Sequence, residues 1–128
     1  MKVTVAIDSF KGSLSTLEAG EAAKVGILRV CPDAEVVISP LADGGEGTVD
    51  AVLSALSGER VSIPVTGPLG ETVVAEYGII PERRLAVLEM ASAAGITLVE
   101  NEKRNPLETT TYGVGEMIRH AIVERGCR

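Results

Sequence analysis

Three short segments gather the groups able to do chemistry. Asp8-Ser9-Phe10-Lys11-Gly12-Ser13 sets a carboxylate, two hydroxyls and an ammonium around one glycine. A lysine so placed holds a carboxylate or phosphate as a point charge, and an aspartate takes a proton from a hydroxyl or binds a metal. The same residues also serve as a polar turn whose aspartate sits favourably near a helix N-terminus. In Ala42-Asp43-Gly44-Gly45-Glu46-Gly47-Thr48, three glycines in four positions permit unusual backbone angles and close approach of a ligand. The helix that follows adds unpaired N–H groups. Asp43 and Glu46 would repel a bare phosphate, so they suit Mg²⁺ held between them and phosphates, or a base directed at a hydroxyl. A glycine-rich turn with Glu46 in the first helical turn is the structural alternative. No Lys-Ser/Thr pair follows the glycines, which excludes a Walker motif.

The third segment, Arg104-Asn105-Pro106-Leu107-Glu108-Thr109-Thr110-Thr111-Tyr112-Gly113, carries a guanidinium whose fork fits a carboxylate or phosphate. Its three threonines supply hydroxyl donors and an N-cap, for which one would suffice. Pro106 restricts Asn105 to an extended conformation and so stiffens the approach of Arg104 to the helix. His120 stands apart from any Ser or Cys partner and reads as a surface or satisfied core residue.

These segments need elements to hold them. Lys2 to Ile7 is a β-branched run emptying into the first loop, and Ser15 with Glu18 forms a capping-box pattern. Leu17, Ala22, Val25, Leu28 and Arg29 then recur at helical spacing until Pro32. Glu35 to Ser39 repeats the strand, residues 41–47 the loop, and Thr48 to Leu56 the helix. Two successive strand-loop-helix units imply parallel strands with both loops at one sheet edge, where such sheets bind ligands. Beyond Gly58 the texture changes: Arg60 to Val65, Thr72 to Ile80 and Leu85 to Met90 read as an antiparallel meander turning at Gly67-Pro68-Leu69-Gly70. A glycine- and polar-rich stretch leads to a helix from Thr109-Thr110-Thr111 to about Arg125, ending at Gly126. We expect a domain boundary near residue 60.

Composition narrows the function classes. A net charge of −6 over 128 residues, with no Lys/Arg cluster, argues against a nucleic-acid binder. Only Phe10, Tyr77 and Tyr112 are aromatic, so the core must be built from small branched side chains. Arg83-Arg84 and Lys103-Arg104 sit beside glutamates and read as solvated turns. Cys31 and Cys127 lack metal-ligand spacing and read as structural thiols. The apolar start is too short for a secretory segment, and no stretch is long enough to span a membrane, so a cytoplasmic protein is expected.

Taken in order, Asp-Ser-Phe-Lys-Gly-Ser-Leu-Ser at 8–15, Pro-Leu-Ala-Asp-Gly-Gly-Glu-Gly-Thr at 40–48, Gly-Pro-Leu-Gly at 67–70, Glu-Met-Ala-Ser-Ala-Ala-Gly at 89–95 and the 104–113 segment resemble successive signatures of the glycerate kinase family. The resemblance runs over nearly the whole chain. It implies an α/β enzyme that uses ATP and Mg²⁺ to phosphorylate D-glycerate, usually to 2-phosphoglycerate. A flavodoxin-like parallel-sheet domain, incomplete here and begun by residues 1–60, would be followed by the start of an inserted mixed α/β domain at 61–128. Asp8, Lys11 and Asp43 would be catalytic; Ser9, Lys11, Gly44, Gly45, Arg104 and Thr110 would bind substrate; Asp43 and Glu46 would hold the metal. The partners implied are D-glycerate and ATP, with no nucleic acid and no membrane.

The family continues with a further glycine-rich segment containing an Asn-Asp pair, which this sequence lacks, so a truncated chain that is inactive alone is expected. Its missing portion would be a separate chain if the enzyme is split. A non-catalytic fragment and a small flavodoxin-type ligand-binding domain are the alternatives, and the meander argues against the second.

Overall fold

A computed structural model describes residues 1–10, 13–41 and 43–128. The chain forms two compact units, Met1–Ala51 and Val52–Arg128.

In the first unit, β1 (Lys2–Ile7) and β2 (Glu35–Pro40) lie parallel, with Lys2 opposite Glu35 and Ile7 opposite Pro40. Helix α1 (Thr16–Val30) crosses between them and packs on both. The capping box forms as the sequence predicts: Ser15 Oγ accepts the Glu18 N–H at 3.3 Å, and the Glu18 carboxylate accepts the Ser15 N–H at 2.8 Å. The Ser15 N–H and the Ser15 hydroxyl, the latter at 2.7 Å, both donate to the Glu18 carboxylate and hold it below the usual carboxylate range.

The residues that reveal α1 by their spacing are not the ones it buries. Leu17 and Val25 are exposed, while Ala19 and Gly20 are buried. Close approach to the sheet is the reason. A Cβ on Gly20 would fall 2.6 Å from Ile38 Cγ2, so the helix rests closely on β2 at its small residues, with Leu17 and Val25 outward and Ile27 and Leu28 half-buried. Helix α2 (Thr48–Ala55) follows β2, one residue shorter than its pattern predicts.

In the second unit, β3 (Glu59–Thr66), β4 (Thr72–Ile80) and β5 (Leu85–Leu88) form the antiparallel meander in the order β3-β4-β5. Strand β5 stops two residues earlier than expected, because Met90 opens the short helix α3 (Met90–Ala94). Ser92 on that helix accepts the Glu76 N–H at 2.7 Å, completing the edge of β4 beyond the last residue of β5. Two 3₁₀ turns follow at Ile96–Leu98 and Asn101–Lys103, where the sequence suggests only a polar loop. Helix α4 (Tyr112–Val123) ends near Gly126, whose φ of 65° turns the chain so that the Cys127 N–H reaches Ala121 O at 2.9 Å. That reversal buries Cys127 in a core with Val65, Ala75, Tyr77, Ile79, Ala93, Met117 and Ala121. Among the described residues, no helix is long and apolar enough to cross a membrane.

His120 is the satisfied residue of the two options its isolation left open. Its Nδ1 and the Tyr77 hydroxyl are hydrogen-bonded at 2.7 Å, with the rings edge to face. Burial pushes the Tyr77 phenol up from its ordinary value of 10.0. As pH rises past 10.0 the unfolded chain loses this proton before the folded one does. The contribution is therefore whole below that value and is lost as pH climbs through the folded one. The urea midpoint of the wild type should thus fall with rising alkalinity more steeply than that of Tyr77→Phe. Equal alkaline slopes would remove the phenol from the account.

Candidate functional site

Parallel pairing decides what the first two polar loops share. Because Ile7 and Pro40 are register partners, both loops leave β1 and β2 at the same edge, and the Leu41 N–H donates to Ile7 O at 3.2 Å. Asp8, Ser9, Asp43, Gly44, Gly45 and Glu46 are thus brought to one edge of the sheet, as the doubled strand-loop-helix pattern requires. Lys11 lies outside the described residues, with Gly12 and Ala42.

Asp8 is half-buried, and its Oδ1 accepts the N–H of Ser9 at 2.7 Å. Phe10 and Leu14 form an isolated antiparallel bridge, N–H to O at 2.9 Å one way and 3.1 Å the other. The Ser13 N–H adds a third bond to Phe10 O at 2.8 Å. The loop is therefore pinned at residues 10, 13 and 14.

The second loop owes its shape to its glycines. Gly44 and Gly47 have φ values of 96° and 91°, where a side chain would be strained. Between them, Asp43 Oδ1 accepts the Gly45 N–H at 2.9 Å, an Asx turn that fixes the aspartate's orientation. A Cβ on Gly45 would sit 3.0 Å from that same oxygen. The Thr48 hydroxyl donates to Gly45 O at 2.8 Å and closes the loop onto α2. Sequence reasoning used Thr48 only as a helix start, although a threonine directly after a glycine turn is a usual signal for such closure. Asp43 and Glu46 both face solvent. Among the described residues, no three His, Cys, Asp or Glu side chains form a metal-holding group.

Arg104 and Thr110 belong to the second unit. The Arg104 guanidinium donates from Nε to Val99 O at 3.2 Å and from Nη2 to Ile96 O at 3.4 Å. Part of its fork is thereby spent on the backbone of its own loop, and the exposed side chain is oriented by that anchorage. The three threonines do different things. Thr110 Oγ1 accepts the Tyr112 N–H at 3.1 Å, Thr109 Oγ1 donates to Pro106 O at 3.4 Å, and Thr111 occupies the N-cap position without a side-chain cap bond.

The Thr110 N–H also donates to Pro68 O at 2.9 Å, which joins the 104–113 segment to the Gly67–Gly70 turn. Glu71 and Glu116 tighten this junction by accepting the N–H groups of Leu69 at 3.0 Å and Thr66 at 2.6 Å. Glu116 carried no signal in the sequence, since it acts on backbone fifty residues away, whereas Glu71 acts two residues from itself, beside the Gly67–Gly70 turn.

The whole arrangement matches one family of enzymes. The model of the glycerate kinase family fits residues 3–128. The glycerate kinase of Halalkalibacterium halodurans is 51% identical over 122 residues, covering 95% of this chain and 32% of the relative. The Bacillus subtilis glycerate kinase is 52% identical, and the Escherichia coli glycerate 2-kinase 48%, each over 122 residues and 32% of its length. A crystal structure of a candidate glycerate kinase 2 from Salmonella typhimurium LT2 matches 99% of this chain and 34% of its own, with a TM-score of 0.73 at 48% identity. The chain belongs to the glycerate kinase family. It spans about a third of the length of the curated relatives it matches.

Proposed function

We propose that this chain supplies one part of a cytoplasmic, ATP-dependent kinase that transfers the γ-phosphoryl group to D-glycerate and gives 2-phosphoglycerate. The observation that carries the reading is the convergence of the Asp8 and Asp43 loops at the carboxyl edge of β1 and β2. Family membership supplies the chemistry that this edge would serve.

Phosphoryl transfer needs positioning and charge neutralisation more than covalent help from the protein. In the first unit Lys11 is the group proposed for an anion, with the Ser9 hydroxyl as a ligand partner, and in the second unit Arg104 and the Thr110 hydroxyl are proposed in the same roles, the anions being the glycerate carboxylate or the nucleotide phosphates. Gly44 and Gly45 let the backbone come close to a ligand. Asp43, held by its Asx turn, and Asp8 are the carboxylates able to orient the glycerate hydroxyl or accept its proton.

Mg²⁺ in kinases is commonly held by one or two carboxylates together with phosphate oxygens and water. The exposed pair Asp43 and Glu46 fits that donor set, and the ion would neutralise charge on the transferred group. Residues 61–128 are proposed to begin the inserted domain. Because the relatives are three times as long as the matched segment, the isolated chain is proposed to be inactive, with the remaining groups supplied from outside it.

The test is ligand binding at the loops themselves. In amide NMR spectra of the chain, D-glycerate or ATP with Mg²⁺ at millimolar concentration should shift Ser9, Gly44, Gly45 and Glu46. Spectra in which neither ligand moves any of these residues would sink the reading.

A further inference from the structure

The carboxyl edge of β1 and β2 also carries an apolar group that phosphate and carboxylate chemistry do not use. Phe10 is the only phenylalanine in the chain, and it is 52% exposed. It is no loose end, since its N–H and its carbonyl oxygen together take part in three backbone hydrogen bonds with Ser13 and Leu14. Side chains of a bridged pair project to the same side, so the ring stands beside Leu14, itself 42% exposed. Leu41, 50% exposed, leaves the end of β2 at the same edge.

An exposed ring forfeits the gain of burial, and a ring carried on backbone held this firmly offers a flat apolar surface at little cost in ordering the chain. Of the two ligands in the proposed reaction, glycerate has nothing to lay on it: its carboxylate and hydroxyls all call for polar partners. The nucleotide has a planar base whose face stacks on aromatic rings.

We propose that Phe10, with Leu14 beside it, is the platform on which the adenine base of ATP stacks. The inference rests on the kinase reading above and adds the base subsite to it. The phosphates would engage the polar groups of the same edge.

Phe10 gives the only phenylalanine spin system in proton NMR spectra of this chain. ATP with Mg²⁺ should move its ring protons upfield and give intermolecular contacts to adenine H2 or H8. Inorganic tripolyphosphate with Mg²⁺, which has no base, should shift the amides of residues 43–47 and leave the ring unmoved. Phe10→Ala should weaken ATP binding by about tenfold, within the range measured for loss of one base-stacking ring. The same substitution should leave tripolyphosphate binding within about twofold, and Phe10→Tyr should restore ATP affinity. ATP that shifts the loop amides while the ring stays still, or binds Phe10→Ala as well as wild type, overturns the platform and leaves the kinase reading intact. Loops that respond to neither ATP nor tripolyphosphate overturn both.

Discussion

Gly113→Ala should strongly destabilise the second unit, while Gly115→Ala, two residues along the same helix, should stabilise it. A Cβ on Gly113 would lie 2.1 Å from Thr66 O and 3.1 Å from Val65 Cγ2. The first contact is with backbone that cannot yield. Thr66 pairs with Thr72 across the β3–β4 ladder, and its own N–H is held by Glu116 from α4. Relief would require α4 to lift off β3 and to give up the Thr110–Pro68 bond beside it. Overpacking against such a contact costs about 3 kcal/mol. In a unit of this size that lowers the thermal midpoint by roughly 10–20 °C. Gly115 has nothing within 4 Å of its would-be Cβ, so alanine there should gain about 0.8 kcal/mol from helix propensity alone. Thermal unfolding followed by circular dichroism separates the two. A Gly113→Ala midpoint within a few degrees of wild type would show that α4 does not depend on this approach.

The elements that declared themselves in the sequence are those whose signal is local. The Ser15–Glu18 box, the β-branched runs at 2–7 and 72–80, and the Gly-Pro-Leu-Gly turn each depend on a few neighbouring residues, and each lies where its pattern predicts. The packing of α1 was not legible in this way, because the helical repeat of Leu17 and Val25 marks a helix without saying which face meets the sheet. That choice belongs to Ile38, a side chain on another element that admits only glycine opposite it. The early end of β5 has a similar origin. Residues 89–90 continue the run read as a strand, but Ser92 serves β4 only if the chain turns into α3 at that point.

Of the site, the sharing of one sheet edge by residues 8–10 and 43–47 was legible, since a parallel crossover permits no other outcome. The bonds that shape each loop were less so. Asp43 reads as a free carboxylate in the sequence, yet one of its oxygens is committed to Gly45 N–H, and the Arg104 fork is partly committed to Val99 and Ile96. In both cases a side chain with chemical promise first satisfies nearby backbone, which fixes its direction. Such double use is what allows a small polar loop to present a charge at a defined angle without a large core beneath it.

That orientation is why Asp43 should matter more to the rate than to binding. A chimaera in which this chain replaces the matching third of the Bacillus subtilis glycerate kinase, to which it is 52% identical over 122 residues, allows turnover to be measured. Asp43→Asn preserves the side chain's shape, and its amide oxygen can still accept the Gly45 N–H, so the loop should keep its fold. What is lost is the negative charge that would hold Mg²⁺ or take up the hydroxyl proton as transfer proceeds. An interaction that strengthens in the transition state lowers kcat and kcat/KM together when it is removed, here by about a hundredfold or more. The KM for ATP should stay within about threefold of wild type, since ground-state contacts persist. Lys11→Ala and Arg104→Ala should do the reverse, raising KM for glycerate or ATP with a smaller change in kcat, because a cation on a ground-state anion gives uniform binding. Wild-type turnover in the Asp43→Asn chimaera would take Asp43 out of the mechanism. A loss confined to KM would instead move it from the reacting centre to the walls of the site, and the Asx turn would then be a binding device alone.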